Sequence, residues 1–368
     1  MLVTSANTVI EFPLESAKRR EDPFNEVTLD TVFTDRKGRE TTVPAFWTGL
    51  NRWAVRFSSP ETGVYEFRTV CSDKSDAGLH GATGEIEVVP YEGSNPLHLH
   101  GPLRISPNRT YLEHADGTPF FWLADTWWMG FAKRFEWPGD FKELATDRVQ
   151  KGFNVIQIVA GLYPDMKPMS PLGDNEAGRP WQAGYERINP DYFDMADLRV
   201  EWLVRSGLAP CIVGTWGFHV KHLGIERMKL HWRYIVARWG AYPVAWCLAG
   251  EATMPEYLTP PSEAAAAKQS QKEAWTEIAR YVHEIDGFKR LVTIHPCESG
   301  RREVEDPAVL DFDMLQTGHN GFLSIPDTAR IAAAAVARKP RMPVINAEVS
   351  YEGIMEGSRQ EIQRIMFW

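Results

Sequence analysis

From about residue 120 onward, short apolar runs alternate with amphipathic segments, and this rhythm restricts the folds that the chain can adopt. The apolar runs predict seven strands: Phe120–Asp125, Phe153–Val159, Ala209–Gly214, Val244–Ala249, Leu291–His295, Met314–Thr317 and Val344–Ala347. The amphipathic segments predict helices: Phe141–Lys151, Tyr192–Ser206, Arg227–Trp239, Lys268–Ile285 and Asp327–Arg338. Right-handed crossovers keep such strands parallel, so the pattern predicts an α/β TIM-type (β/α)₈ barrel. A doubly wound sheet would need a glycine-rich phosphate fingerprint at its first turn, where this chain reads ADTWWMG.

The end of the chain conflicts with a closed barrel. Trp368 lies about one helix after the seventh predicted strand. A closed barrel has eight strands, and stopping at seven would leave a strand edge and a core face uncovered. Either the pattern misses one strand, or the barrel is truncated before its eighth strand. We expect truncation.

Two of the apolar runs deliver a glutamate at their carboxyl ends. PVAWCLAGE closes on Glu251, and MPVINAE closes on Glu348. A carboxylate is unfavourable inside an apolar core, but it is tolerated at the mouth of a strand, where it can meet water, a partner or a substrate. Parallel strands bring their carboxyl ends to one face of a barrel, so we expect the two carboxylates to lie together there. Such a pair suits glycosidic bond cleavage, in which one carboxyl group protonates the leaving oxygen and the other attacks or activates water.

The first 95 residues have a different pattern. Segments such as NRWAVRFSSP, GVYEFRTVC and GEIEVVPY alternate polar and apolar residues and are separated by turn signals. Short strands without a convincing helix predict an all-β, Ig-like sandwich over residues 1–95. A Gly- and Pro-containing linker follows at 96–102, and the barrel domain is predicted from 103 to 368.

Composition limits the partners and the location of the protein. A net charge of −9 and a pI near 5.7 argue against nucleic-acid binding. The sequence has neither an apolar stretch long enough to cross a bilayer nor an amino-terminal signal peptide, so we expect no membrane association and a cytoplasmic protein. We predict no metal and no cofactor, because His219-x-x-His222 lacks a third ligand and no phosphate-binding loop is present. The sequence leaves open whether the protein forms a homo-oligomer.

Beyond His100 the chain resembles the apiosidase-like family of glycoside hydrolases, in which an Ig-like sandwich often precedes the barrel. The matching segments are HGPLRIS, YLEHADGTPFFWLADTWW, GFNVIQI, NPDYFDMADLRVEWLVRSGLAP, ARWGAYPVAWCLAGE and PVINAEVSYEG. The resemblance implies an acid/base carboxylate after the fourth strand and a nucleophile after the seventh, and these positions fall on Glu251 and Glu348. Many relatives carry aspartate at the first position. Members differ in substrate, so apiose is not carried over.

Further polar and aromatic residues follow predicted strand ends or lie in the long 162–189 loop, where they could bind sugar hydroxyls or stack on sugar rings. These substrate-binding candidates are Asp125, Trp127, Trp128, Trp181, Trp216, His219, His295, His319, Asn320, Tyr351 and Glu352. For Asp125, a salt bridge is as good an interpretation as binding of a sugar hydroxyl. For each tryptophan, packing in the core is as good an interpretation as stacking on a sugar. Glu352 also competes with Glu348 for the role of nucleophile, although only Glu348 directly follows the strand.

These features predict a retaining glycoside hydrolase that acts on a complex glycan or oligosaccharide. An inverting hydrolase would differ only in the spacing of the two carboxylates. A non-catalytic carbohydrate-binding protein on a degenerate barrel is the alternative from another functional class. The sequence does not identify the sugar or the linkage.

Overall fold

The computed structural model describes residues 1–351, beginning with two antiparallel sheets. Their strands are β1 (Leu2–Ser5), β2 (Ile10–Glu15), β3 (Leu29–Asp35), β4 (Glu40–Pro44), β5 (Phe46–Gly49), β6 (Arg52–Phe57), β7 (Gly63–Cys71) and β8 (Thr83–Val89). The larger sheet has the order β1-β8-β7-β3-β4 and the smaller one β2-β6-β5, and only β1 pairs in parallel. A four-residue helix, α1 (Pro23–Glu26), lies between β2 and β3.

Phenylalanine rings from the two sheets pack face to face between them. Phe33 of the larger sheet stacks on Phe57 of the smaller one, with ring centroids 4.0 Å apart. Phe12 and Phe67 form a second such pair at 4.6 Å. Alternation along each strand places these rings on the inner faces, which is the sandwich that the sequence predicts.

Parallel strands and helices follow after a short helix, α2 (Pro96–Leu99). The parallel strands are β12 (Ala124–Trp127), β13 (Val155–Val159), β14 (Ala209–Val213), β15 (Ala245–Cys247), β16 (Val292–Thr293), β17 (Asp313–Gln316) and β18 (Val344–Glu348). The helices are α3 (Gly139–Gln150), α4 (Pro190–Arg205), α5 (His219–Trp239), α6 (Pro261–Ile285) and α7 (Ser324–Ala337). Strands β12 to β16 form one parallel sheet in chain order, and β17 pairs with β18. Strands β13 and β14 are fully buried, as expected of strands covered on both faces.

The first predicted strand is wrong in its bounds. A three-stranded antiparallel sheet formed by β9 (Leu103–Ile105), β10 (Leu112–His114) and β11 (Pro119–Phe120) takes the start of that run. The parallel sheet begins only at β12, where Ala124 pairs with Val155. The apolar run from Phe120 is continuous in sequence, so hydrophobicity alone could not separate the two strands.

Helix α5 begins at His219, eight residues before its predicted start at Arg227. The helical pattern is interrupted at Gly224, so the sequence predicts only the helical piece after that glycine. Gly224 has φ of +74° and ψ of 165°, which kinks the helix. A positive φ of this kind favours glycine, so the residue permits the bend that joins the two helical pieces. Within residues 1–351, no helix is both long and apolar enough to span a bilayer.

A buried ion-pair network joins the sandwich to the helices. Arg56 of β6 contacts Asp197 of α4 at 2.5 Å, and its guanidinium also donates to the carbonyl of Arg238 at 2.7 Å. Arg238 and Trp239 of α5 donate to the same carboxylate at 3.0 and 2.6 Å. Burial alone would raise the pKa of Asp197, but Arg238 and Arg56 beside it lower that pKa to about 2. The carboxylate is therefore ionised and fully partnered where the two parts of the chain meet.

Replacing Arg56 with methionine should destabilise the protein, because the variant leaves the buried Asp197 carboxylate with fewer cationic partners. We expect a loss of about 3 kcal/mol in the free energy of unfolding, measured by urea titration. The matched control is Arg68→Met, which removes an exposed arginine 3.4 Å from Glu40 and should change stability by less than about 1 kcal/mol. Equal effects of the two substitutions would contradict this account of the interface.

Candidate active site

Glu251 lies just beyond β15 in a strained backbone conformation. Its φ is +41°, a region that residues with a side chain rarely adopt. Hydrogen bonds on the preceding residue fix this geometry: Gly250 N–H donates to Thr215 O at 2.9 Å, and Gly250 O accepts from Gly217 N–H at 2.8 Å. Strain of this size persists only where the surroundings enforce it, and such positions cluster at functional sites.

Trp216 packs directly on Gly250. A β-carbon added to Gly250 would lie 2.2 Å from two atoms of the indole ring, closer than any real contact. The indole is only 4% exposed and forms the floor beneath the strand end. Glycine is therefore required at position 250 so that the ring can lie against the backbone next to the glutamate.

The loop that continues from this glutamate is held from two sides. Thr253 N–H donates to the buried Glu303 carboxylate at 2.8 Å. The carbonyl of Ala252 accepts hydrogen bonds from Gln271 and Trp275 of α6, at 3.0 and 2.9 Å. Burial raises the pKa of Glu303, although its hydrogen bonds to the loop oppose that shift. These contacts enforce the strained backbone that aims the Glu251 side chain.

Glu348 ends β18 and lies between two imidazoles. His295 Nε2 is 2.7 Å from one carboxylate oxygen, and His319 Nε2 is 3.0 Å from the other. Burial alone would raise the pKa of Glu348, but His295 and His319 outweigh it and lower the pKa to about 2. The Glu348 carboxylate in turn raises the pKa of His319. Glu348 is therefore a buried carboxylate that stays ionised throughout the neutral range.

Gln316, the last residue of β17, links the two glutamates. Its Nε2 donates to Glu251 Oε1 at 3.1 Å and lies 3.3 Å from His319 Nε2, which contacts Glu348 at 3.0 Å. Three contacts in series thus join Glu251 Oε1 to Glu348 Oε1, which places the two carboxylates in one pocket.

Aromatic rings form one wall of the site. Trp128 meets the rings of Trp216 and His295 edge-on, with centroids 5.3 and 5.1 Å apart. Its indole N–H donates to Tyr351 OH at 2.9 Å, and Tyr351 stacks on His319 at 5.1 Å. The structure thereby brings these five predicted residues together with the two glutamates.

Two predicted residues at the first strand lie outside this cluster. Asp125 contacts Arg148 of α3 at 2.5 Å and accepts a hydrogen bond from the Trp127 indole at 2.9 Å. Trp127 is 6% exposed and packs edge-on against Phe141. The structure therefore shows Asp125 in a salt bridge and Trp127 packed in the core.

Three further candidates are also placed elsewhere. Trp181 is 1% exposed and donates to His231 Nδ1 at 3.2 Å, so it packs in the core. His219 is buried, with its Nε2 3.0 Å from the carbonyl of Tyr163. Asn320 is exposed in the turn before α7, and its backbone N–H donates to Ser324 Oγ at 2.8 Å. Glu352 lies outside the described residues.

Sequence reasoning missed Gln316 and Tyr257. Gln316 lies one residue before the carboxyl end of the predicted strand Met314–Thr317, and this position was the signal that could have found it. Tyr257 lies in the loop after Glu251 and donates to Asp165 at 2.6 Å. In the part of the chain that the structure describes, no group of three His, Cys, Asp or Glu residues is arranged to hold a metal ion.

Comparison with known families assigns both parts of the chain. Residues 106–367 match the family described as Apiosidase-like, catalytic domain. Residues 6–72 match a domain of unknown function, DUF5060. A search of curated proteins found no match.

Solved structures of glycoside hydrolases share the fold. A putative glycoside hydrolase from Bacteroides vulgatus matches 96% of this chain with a TM-score of 0.69 and 21% identity. A family 5 glycoside hydrolase from the same organism matches 76% with a TM-score of 0.60 and 21% identity, and a third structure named glycoside hydrolase matches 72% with a TM-score of 0.52 and 24% identity. This chain spans 66%, 61% and 60% of the length of those three proteins.

Gly250→Ala should destabilise the protein, because the new methyl group meets the Trp216 ring and one of the two must move. We expect a loss of about 1–3 kcal/mol in the free energy of unfolding, measured by chemical denaturation. Gly139→Ala in α3 is the control, since its β-carbon would be 3.7 Å from the nearest neighbour, the Glu136 side chain. A Gly250→Ala protein as stable as this control would show that the indole does not require glycine.

Glu348→Gln should lower the pKa of His319 toward the ordinary value of about 6.5, because a neutral amide no longer stabilises the protonated imidazole. The measurement is a histidine side-chain NMR titration of the variant and the parent protein. Glu256→Gln is the matched control: Glu256 is 3.4 Å from His222, and its loss should leave His319 unchanged. An unaltered His319 titration in Glu348→Gln would mean that the two side chains do not form the observed pair.

Proposed function

The chain belongs to the apiosidase-like catalytic domain family, and from this premise we propose that it hydrolyses glycosidic bonds, with Glu251 and Glu348 as its catalytic residues. One observation carries the proposal: a buried carboxylate kept ionised by two imidazoles is joined through His319 and Gln316 to a second carboxylate, which follows another parallel strand. Two carboxyl groups in unlike environments suit the two roles that glycoside hydrolysis requires.

In the proposed reaction, Glu251 protonates the glycosidic oxygen as the bond to the leaving group breaks. Glu348 attacks the anomeric carbon and forms a glycosyl-enzyme intermediate. Glu251, now ionised, removes a proton from water, which attacks that intermediate and releases Glu348. Only an ionised carboxylate is a competent nucleophile, and the low pKa of Glu348 supports this assignment.

The same arrangement supports the barrel as the frame of the site. Strands β12 to β16 run in parallel in chain order, and contacts join the last strand to the first ones. Gln157 of β13 donates to the carbonyl of Ala347 in β18 at 3.3 Å, while Trp128 beyond β12 donates to Tyr351. We place the proposed chemistry at the carboxyl ends of these strands, where barrel enzymes carry their active sites.

A carbohydrate is the proposed substrate, with Trp128 and Tyr351 as rings on which a sugar could pack. His295 and His319 lie beside the nucleophile, where they hold its oxygens in place.

The test compares leaving groups in a Glu251→Gln variant. Poor leaving groups need protonation, so we expect kcat/KM to fall by about 10²- to 10⁴-fold on an alkyl glycoside or oligosaccharide and far less on an activated aryl glycoside. Glu263→Gln, at the exposed start of α6, is the control and should leave both rates unchanged.

Equal losses on both substrate types would count against the role of Glu251 as the acid. A parent protein that binds glycans saturably but turns over no member of a glycoside panel would favour the non-catalytic alternative.

A further inference from the structure

Gln316 occupies the space between the two proposed catalytic carboxylates. It is 9% exposed, and its amide nitrogen is within hydrogen-bond distance of Glu251 on one side and of His319 on the other. Its carbonyl oxygen Oε1 is buried and has no hydrogen-bond partner among residues 1–351. A buried amide usually satisfies both ends, so this orientation requires a cause.

The hydrogen bond from Gln316 to Glu251 accounts for this orientation. A carboxylate only accepts hydrogen bonds, and Nε2 is the only part of the Gln316 amide that donates. If the amide were turned over, Oε1 would face a carboxylate oxygen at the 3.1 Å now occupied by the donor contact, and two acceptors would repel each other. Leaving Oε1 unpartnered is therefore the better arrangement while Glu251 is ionised.

The contact with His319 does not compete with this bond. His319 Nε2 is closer to Glu348 Oε1, at 3.0 Å, than to Gln316 Nε2, at 3.3 Å. A ring nitrogen that carries a proton donates it to the carboxylate and cannot also accept from the amide. Gln316 Nε2 also lies closer to Glu251 Oε1, at 3.1 Å, than to His319 Nε2, at 3.3 Å.

We infer that Gln316 is a positioning residue, which holds the Glu251 carboxylate in place and favours its ionised form beside the second anion, Glu348. This inference rests on the proposed function, because ionised Glu251 is the base of the second chemical step. Two carboxylates in one pocket disfavour each other's charge, and a hydrogen-bond donor between them offsets that repulsion.

Other titratable groups also face Glu251. Tyr257 comes from its own loop, Cys297 from the loop after β16, and His319 from the segment after β17. A test must therefore change the amide alone. Methionine has nearly the length of glutamine and no donor, so Gln316→Met removes the hydrogen bond and leaves those groups in place.

The ionisation of Glu251 can be read directly by carbon NMR of protein labelled at the glutamate carboxyl groups, with its signal assigned by its loss in Glu251→Gln. In Gln316→Met we expect the midpoint of this titration to move about one pH unit higher, a tenfold change in the ionisation equilibrium. The alkaline limb of kcat/KM should move by the same amount and in the same direction. Gln157→Met is the matched control, because Gln157 is a buried glutamine that donates to a backbone carbonyl and should leave the midpoint unchanged.

An unmoved Glu251 midpoint in folded Gln316→Met protein overturns the inference. If that variant does not fold, Gln316→Glu replaces it, and its added negative charge should move the midpoint upward by more than one unit. An unmoved midpoint in Gln316→Glu is likewise contradictory. If the parent protein turns over no glycoside, that result contradicts the proposed function but not this inference, since the titration requires no substrate.

Discussion

The arrangement of the site depends on one interaction, the contact of the buried Glu348 carboxylate with the imidazoles of His295 and His319. A buried carboxylate without partners would take up a proton and lose its charge. Here two ring nitrogens at 2.7 and 3.0 Å reverse that tendency, so the group stays ionised where water is largely excluded. The rings are supplied by segments that follow two other strands, so the parallel strand order creates the pair.

The second carboxylate depends on a different device, a strained backbone. Glu251 adopts a positive φ because Gly250 must lie flat against Trp216 and because the next loop is fixed by Glu303 and α6. Electrostatic contacts thus determine the charge of Glu348, whereas packing determines the backbone conformation of Glu251. Gln316 lies between the two, within hydrogen-bond distance of Glu251 and of His319.

The sequence predicts the alternation of parallel strands with helices, and it predicts that Glu251 and Glu348 follow strands. The helices follow from their amphipathic period, and the two glutamates from their place at strand ends. What could not be predicted is the direction of individual side chains, since one step along a strand turns a residue to the other face. Trp127 and Trp128 are neighbours of the same type, yet one packs in the core and the other enters the cluster. Trp181 and His219 lie outside the strands, and their burial depends on tertiary packing that the sequence pattern does not contain.

The most direct test of the proposed glutamate pair is the product that Glu251→Ala forms from an activated aryl glycoside in the presence of azide. Without the acid/base carboxylate, azide should intercept the sugar bound to Glu348. The account predicts faster turnover with azide and a glycosyl azide that keeps the anomeric configuration of the substrate, because two successive displacements occur. A glycosyl azide of the opposite configuration, or no acceleration by azide, would contradict it.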